Sequence, residues 1–598
     1  MIIFCVCAVA SVVVLYSAPE EYGYIAAAGP EAKAFVRGEG GELTEAEPIT
    51  RGTKVQVLRE QAEGYAAVEL DGEKYYVSQE NVVESADETV LETTLYVRTP
   101  ATIYAKAKGP AIAGFAPKGS ELEIIGHTKV RKDGTVKKYR VRYGDATGDE
   151  STTADDADGD GASDESTTAD DESATDDDER AAADDESAAA DESAVADDES
   201  AAADEDSDGA DDESGVTGYV YAKYLVSSKK KAEKNCNKNG AYDMAKDAHY
   251  GMDLHGGKAT NLDYYPQEFT PIGNNEFCSD ARAMYLHAGA AVSDTYFELA
   301  KESGANAVVI NIDGGTLAYK SPVAEELCPT AYKDAHHSVE KYQEAVKKYN
   351  DAGFYTIGRI VAFNDPSYAA DHKDACIKRG GKRTKWVSAY DRGAWEYKVK
   401  LAIEAVELMG FNEIQYDYVR FPEASYEMSV SGSTDWRNKY DEEKAEAIQN
   451  FCFYAADQIH EAGAYLSIDV FGESSLGYVT AYGQYWPAIS NVVDAISSMP
   501  YTDHFGKTDT WSRPYNCMYN WAKSTLKMQK HIPTPACART WITGYNTPNW
   551  NPTVDYDYGK LHAQVKALKD AGLDGGFIPW NSTCDYGKYK EYLKIWEP

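Results

Sequence analysis

Basic residues are scarce in this 598-residue chain: 59 Lys and Arg stand against 99 Asp and Glu, a formal net charge of −40. No stripe of Lys and Arg with interleaved aromatics occurs. That excludes a nucleic-acid surface, since phosphate binding needs a basic footprint. The acidic excess is local. Residues 144–215 hold 31 Asp and Glu and one Arg, a net of −30, which leaves about −10 for the rest and an ordinary surface charge for a soluble protein. None of the ten cysteines forms a CxxC pair, which disfavours zinc ribbons and thioredoxin-like redox motifs. Cys5 and Cys7 lie near the start. The other eight, from Cys236 to Cys584, permit disulfides in an exported chain and equally permit free buried thiols. No apolar run reaches the roughly 20 residues of a membrane span. The longest, from Met1 to about Tyr16, fits the hydrophobic core of a signal peptide, although no positive charge precedes it. Residues 1–18 are therefore read as a signal peptide or an uncleaved membrane anchor. The protein is expected to be extracellular or at the cell surface, touching membrane only through that segment.

Four regions separate by composition. Residues 32–85 carry short strand-like runs, "TKVQVLRE", "GYAAVEL" and "EKYYVSQENVV", divided by turn residues as in a small β-barrel. A second set spans 94–227, opening with "TLYVRTPATIYAKA" and closing with "GVTGYVYAKYLVSS". The acidic tract, 144–215, interrupts this second set. It repeats "DES" and has almost no large apolar residue, so it cannot bury enough surface to fold. It reads as an insertion in a hairpin loop, tolerable because closure entropy grows only logarithmically with length. Its "DADGDG" (Asp156 to Gly161) begins like a calcium loop, but Thr167 stands where the bidentate Glu is needed. It is read as a solvated acidic run.

From 241 to 598 the character changes, and all ten tryptophans occur from Trp386 onward. Helical runs end in Gly and an apolar strand follows, as in "KESGANAVVINID", "NDAGFYTIGRIVAF", "ELMGFNEIQYDYVRF", "HEAGAYLSIDVFG" and "KDAGLDGGFIPW". Gly adopts the left-handed conformation after a helix with little strain, so each marks a helix end before a strand. Eight strands are expected: 282–287, 307–313, 355–363, 413–421, 465–471, 495–501, 535–540 and 575–580. Helices lie between them, for example 339–350, 395–409, 441–461 and 558–570. Alternating strands and helices over some 350 residues predict a (β/α)8 TIM barrel. A doubly wound open sheet is the alternative, but no glycine fingerprint follows the first strand.

Strand side chains alternate between faces. Gln415 and Asp417 share one face of the fourth strand, with Ile414, Tyr416 and Tyr418 on the other. Asn311 and Asp313 pair in the same way on the second strand, Ser467 and Asp469 on the fifth, and Arg359 lies on the third. Polar residues late in their strands face the C-terminal rim, where such barrels build active sites. Converging carboxylates suit glycoside hydrolysis, which needs one protonated and one ionised carboxyl. Asp417 is the candidate nucleophile or base, and Asp469 the candidate acid with Glu473 as substitute. Arg359 and Arg420 would hold a carboxylate ionised or position hydroxyls, with Asn311, Asp313, Gln415 and Tyr501 as further substrate contacts. Trp486, Trp511, Trp541 and Trp580 follow or end strands and would stack on sugar faces. Each has a plainer reading. Asp417 with Arg420 makes a buried ion pair, the tryptophans make core, and Asp503 and His504 make loop polarity. His336 and His337 lack partners at metal spacing, and neither a metal nor a cofactor is implied.

Taken together, "NAVVINIDGG", "TIGRIVAFNDP", "GFNEIQYDYVRFPE", "YLSIDVFG", "YGQYWPAISNVVDAISSMPYTDHFG" and "IPWN" resemble a bacterial family of glycosyl hydrolase TIM-barrel domains, from about Ala281 to Trp596. "QYDYVRFP" is the specific motif, and the family pattern is matched at Arg359, Asp417, Arg420, Asp469, Gln484 and Trp486. "SSMPYTDHF" departs from it around Asp503. The resemblance implies hydrolysis of a polysaccharide. Placing a nucleophile on strand four and an acid on strand five follows amylase-like barrels by fold-level analogy. The two N-terminal modules resemble bacterial SH3 domains, the first degenerate, which implies targeting to cell-wall peptidoglycan or polysaccharide. The alternative is a non-catalytic carbohydrate- or wall-binding protein on the same scaffold.

Overall fold

The structure is a computed structural model. It describes residues 21–26, 31–38, 41–62, 64–84, 86–89, 94–128, 135–144, 215–234, 255–267, 269, 271–505, 512–546 and 554–597. The expected leading segment and nearly all of the acidic tract, as well as Trp511, lie outside these residues.

Eight parallel strands close into a barrel. They are β1 (Ala281–Leu286), β2 (Ala307–Asp313), β3 (Tyr355–Val361), β4 (Glu413–Asp417), β5 (Tyr465–Phe471), β6 (Ala495–Met499), β7 (Cys537–Thr543) and β8 (Gly576–Trp580). β1 pairs in parallel with both β2 and β8, which closes the ring. The connecting helices are α1 (Asp294–Ser303), α2 (Val339–Asp351), α3 (Arg392–Met409), α4 (Lys444–Ala462), α5 (Trp486–Ser490), α6 (Pro514–Gln529), α7 (Tyr558–Ala571) and α8 (Tyr586–Glu591). The expected TIM barrel is the observed one. α3 begins before the expected Trp395 because Asp391 caps it, its side chain accepting from the Ala394 N–H. It ends at Gly410, left-handed at φ 73, which turns the chain directly into β4.

β4 shows how the barrel is filled. Its outward face packs Tyr416 edge-on against Phe451 of α4, and the Tyr416 hydroxyl donates to the Lys398 carbonyl of α3. Its axial face is polar from bottom to top. Glu413 accepts from Arg539 Nη1 at 2.6 Å and from the Tyr355 hydroxyl at 3.0 Å, all three buried. One step higher, Gln415 donates to Ser497 Oγ at 3.0 Å. Asp417 ends the strand. The strand was expected to continue to Phe421, but Tyr418 takes a left-handed backbone, φ 56, which breaks the ladder.

Two antiparallel sheets precede the barrel. The first begins at Glu21, where Glu21–Ile25 pairs with Lys54–Ala62, earlier than the expected start at 32. It has its own small core, which includes Ile25, Val55, Val68 and Val77. In the second sheet, Lys138–Tyr143 pairs with Val216–Tyr221 from Tyr143 opposite Val216 onward, so the acidic tract joins two paired strands. This sheet shares the barrel's hydrophobic core. The Tyr104 and Tyr224 hydroxyls donate to Asp457 of α4 at 3.2 and 2.8 Å, and Lys223 pairs with the same carboxylate at 2.7 Å. The seven described cysteines, Cys278 to Cys584, are all free thiols.

The buried Glu413–Arg539 pair gives a direct test. Glu413→Leu leaves a guanidinium without its counter-charge and is expected to destabilise by about 3–5 kcal/mol in denaturant titration. Adding Arg539→Met should restore most of that loss. A double variant no more stable than the single would contradict the pairing.

Candidate active site

The site is assembled around Arg359, in the middle of β3 and 4 % exposed. Its guanidinium faces three groups from three other strands. Nη2 donates to Asp417 Oδ2, Nη1 donates to Asn311 Oδ1 at 3.1 Å, and Nε lies 3.8 Å from Asp469 Oδ2. Asp417 accepts a second bond, 2.6 Å from the Tyr418 N–H. The backbone turn that ends β4 thus also holds its carboxylate. Asn311 in turn donates to the Tyr285 hydroxyl at 2.7 Å; burial pushes that phenol up to about 12, so it stays neutral.

The two carboxyls differ in environment. Asp417 borders a cleft of about 170 Å³ with Tyr418, Arg420, Glu423, Phe471, Met499, Tyr501, His504, Trp541 and Trp580. Asp469 has no exposed surface and accepts from the Trp541 indole N–H at 2.8 Å. Burial pushes its carboxyl well above the ordinary range, and the Asp417 charge pushes it the same way; Arg359 and the Trp541 bond pull against this without reversing it. Of the two, Asp469 is the carboxyl whose neutral form burial favours. Trp541 and Trp580 meet edge to face with centroids 5.4 Å apart, and together they wall one side of the cleft.

Of the residues singled out from sequence, Arg359, Asp417, Arg420, Tyr501, Trp541 and Trp580 line this cleft. Asp469 and Asn311 stand directly behind it, bonded to its lining. Others are placed elsewhere. Asp313 does not share the axial face with Asn311, because the register against β3 shifts between these two residues. Such a bulge re-aims the side chain that follows it. Asp313 instead pairs with Lys398 of α3 at 2.7 Å, and Lys398 also binds Asp365 at 2.7 Å. Gln415 lies a layer below the cleft. Glu473 is held by the Tyr482 hydroxyl and, at 3.1 Å, by the Tyr478 hydroxyl, away from the cleft lining. Trp486 is fully buried and donates to Gln529 at 2.9 Å, so it is core. Gln484 braces the ends of two strands, donating to the Val419 and Asp469 carbonyls and accepting from the Phe471 N–H. Asp503 is bonded to the Tyr545 hydroxyl. The sequence reading missed Tyr418, Glu423, Phe471 and Met499 and left His504 open. The spacing of Glu423 three residues after Arg420 was the one available signal. Among the described residues no cluster of His, Cys, Asp and Glu could hold a metal ion.

The barrel carries a family match that gives the class: the chain is a glycoside hydrolase. Residues 283–586, just over half of the chain, match the family described as "Putative glycosyl hydrolase domain", and the chain belongs to that family. Among solved structures it is similar to a hypothetical protein from Ruminiclostridium thermocellum, with 30 % identity over 31 % of this chain and 97 % of that one, TM-score 0.27. It is also similar to the PgaB (BpsB) glycoside hydrolase domain from Bordetella bronchiseptica, with 11 % identity over 52 % and 99 % and a TM-score of 0.38. A class V chitinase from Pseudomonas fluorescens gives 12 % identity over 52 % and 100 %, TM-score 0.35. No curated protein matches the chain.

The raised Asp469 carboxyl has a measurable consequence. Above the ordinary value of 3.8 the unfolded chain releases this proton while the folded chain keeps it. Stability is therefore lost as pH rises through the window up to the folded value. Asp469→Asn removes the titration and keeps an acceptor for Trp541. Its melting temperature relative to wild type should climb as pH rises above about 4, equivalent to about 1.4 kcal/mol per pH unit within the window. A difference independent of pH would show that Asp469 is ionised in the fold.

Proposed function

We propose that this protein is an exported hydrolase of O-glycosidic bonds in a cell-wall or environmental polysaccharide, with Asp417 as the carboxylate that meets the sugar. The observation that carries this reading is the division of labour around Arg359. Asp417, bonded to Arg359 and the Tyr418 N–H, lines the cleft, whereas Asp469 is sealed behind it with a raised carboxyl. A carboxylate at the rim, held by a buried cation and facing the cleft, is placed to attack a sugar or activate water, as glycoside hydrolysis requires. Asp417 acts as nucleophile or base. Asp469 is sealed behind the cleft, and the groups it meets there, the Trp541 indole N–H and the Arg359 guanidinium, are donors only, so it acts by positioning them rather than by delivering a proton to substrate. Trp541 and Trp580 offer aromatic walls for sugar rings.

The apolar leading segment supports export. The likeness of the N-terminal modules to bacterial SH3 domains supports targeting to wall material. The first sheet, with a separate core, suits that task better than the second. The second sheet's Tyr104, Tyr221 and Tyr224 are engaged with α4.

The test is reducing-end release by the purified full chain across a panel of polysaccharides that includes peptidoglycan. Wild type should turn over at least one of them, and Asp417→Asn should lower the rate by about 100- to 10,000-fold, the contribution of a positioned acid or base. Undiminished turnover would remove Asp417 from the chemistry. Saturable binding with no turnover by wild type would leave a carbohydrate-binding protein.

A further inference from the structure

Arg420 is the second cation of the cleft, and it is in a different state from Arg359. Arg359 is committed inside the protein, facing Asp417, Asn311 and Asp469. Arg420 also lines the cleft and is only 3 % exposed, yet among the described residues its one ionic partner is Glu423, at 2.8 Å, whose side chain is 70 % exposed. A partner so far into solvent offsets little of a buried charge. The guanidinium plane is held by aromatic faces. Phe471, Tyr418 and Trp386 lie 4.5, 4.8 and 5.0 Å from it, with Tyr482 at 5.9 Å. Aromatic faces hold a guanidinium without using its N–H edge. Of its five N–H donors, one goes to the Phe421 carbonyl at 3.2 Å and one to Glu423.

We propose that the cleft takes a sugar bearing a carboxylate, and that Arg420 is the group that reads it. A planar guanidinium fixed by its neighbours, with donors uncommitted along its edge, is matched by a two-oxygen anion better than by a single hydroxyl. Among the described residues, the carboxylates that border the cleft are Asp417, matched by Arg359, and Glu423 itself. Glu423 therefore competes with the ligand for Arg420 and repels it. This inference rests on the polysaccharide reading of the site and gives it a substrate class: uronic acids, or sugars with an ether-linked carboxylate such as muramic acid.

Binding is measured by calorimetry with the full chain carrying Asp417→Asn, so that ligand is not consumed. One arm uses uronic-acid oligosaccharides and the other muramic-acid-containing fragments, each against its carboxyl-reduced counterpart. In at least one arm the acidic form should bind about tenfold or more tighter than the reduced form. Arg420→Gln should erase that preference. Glu423→Gln, a change at an exposed side chain that leaves the fold intact, should widen it. Equal binding of acidic and reduced forms in both arms overturns the proposal. So does a loss in Arg420→Gln that falls equally on both forms, because Arg420 would then only support its aromatic neighbours. If neither form binds while wild type hydrolyses neutral polysaccharides, the carboxylate subsite is wrong and the hydrolase reading stands. If nothing binds and nothing is hydrolysed, the reading beneath it fails.

Discussion

A single guanidinium organises the top of this barrel. Arg359 reaches from β3 to Asp417 on β4, Asn311 on β2 and the neighbourhood of Asp469 on β5. The two carboxyls around this cation are not equivalent. Asp469 has no access to water and Asp417 borders the cleft, and burial together with the Asp417 charge pushes the Asp469 carboxyl up. The difference between them comes from position rather than residue type.

The same economy runs down the axis. TIM-barrel interiors are ordinarily filled by branched apolar side chains, but here β4 alone sets Glu413, Gln415 and Asp417 on the axis. Each has a partner on another strand: Arg539 on β7, Ser497 on β6 and Arg359 on β3. Strand register is therefore tied by charge and hydrogen bonding as well as by packing. A slip by one residue would move all three polar groups into the apolar layer against the helices. The precision of the rim is inherited from the layers below it. The second N-terminal sheet adds to this frame from outside, through the buried Asp457 that its tyrosines and Lys223 share on α4.

Much of this was legible in the chain. The glycines that close "ELMG" and "HEAG" do end helices in left-handed backbone, at Gly410 and Gly463, and the strands follow where the apolar runs begin. Alternation placed Asp417, Asp469 and Arg359 on the axial face. It failed for Asp313, because a bulge between Asn311 and Asp313 breaks the two-residue period. It also extended β4 through "YVRF", where a left-handed Tyr418 ends the strand. Neither event leaves a mark in composition, since both are imposed by what the backbone meets in space. Trp486 and Glu473 looked available from their places after β5, yet one is core and the other is bound by two tyrosines.

The sequence by itself determined the barrel and the face on which its acids stand, because helix and strand periods are local properties of the chain. Tertiary structure decided which of those acids borders the cleft, which carboxyl burial pushes up, and which cation is boxed in by aromatic faces. Those outcomes depend on burial and on distances between residues far apart in the chain: Arg359 and Asp417, Asp469 and Trp541, Arg420 and Phe471. Electrostatic energies change with each ångström of separation and with the loss of water, and no periodicity in the chain encodes either.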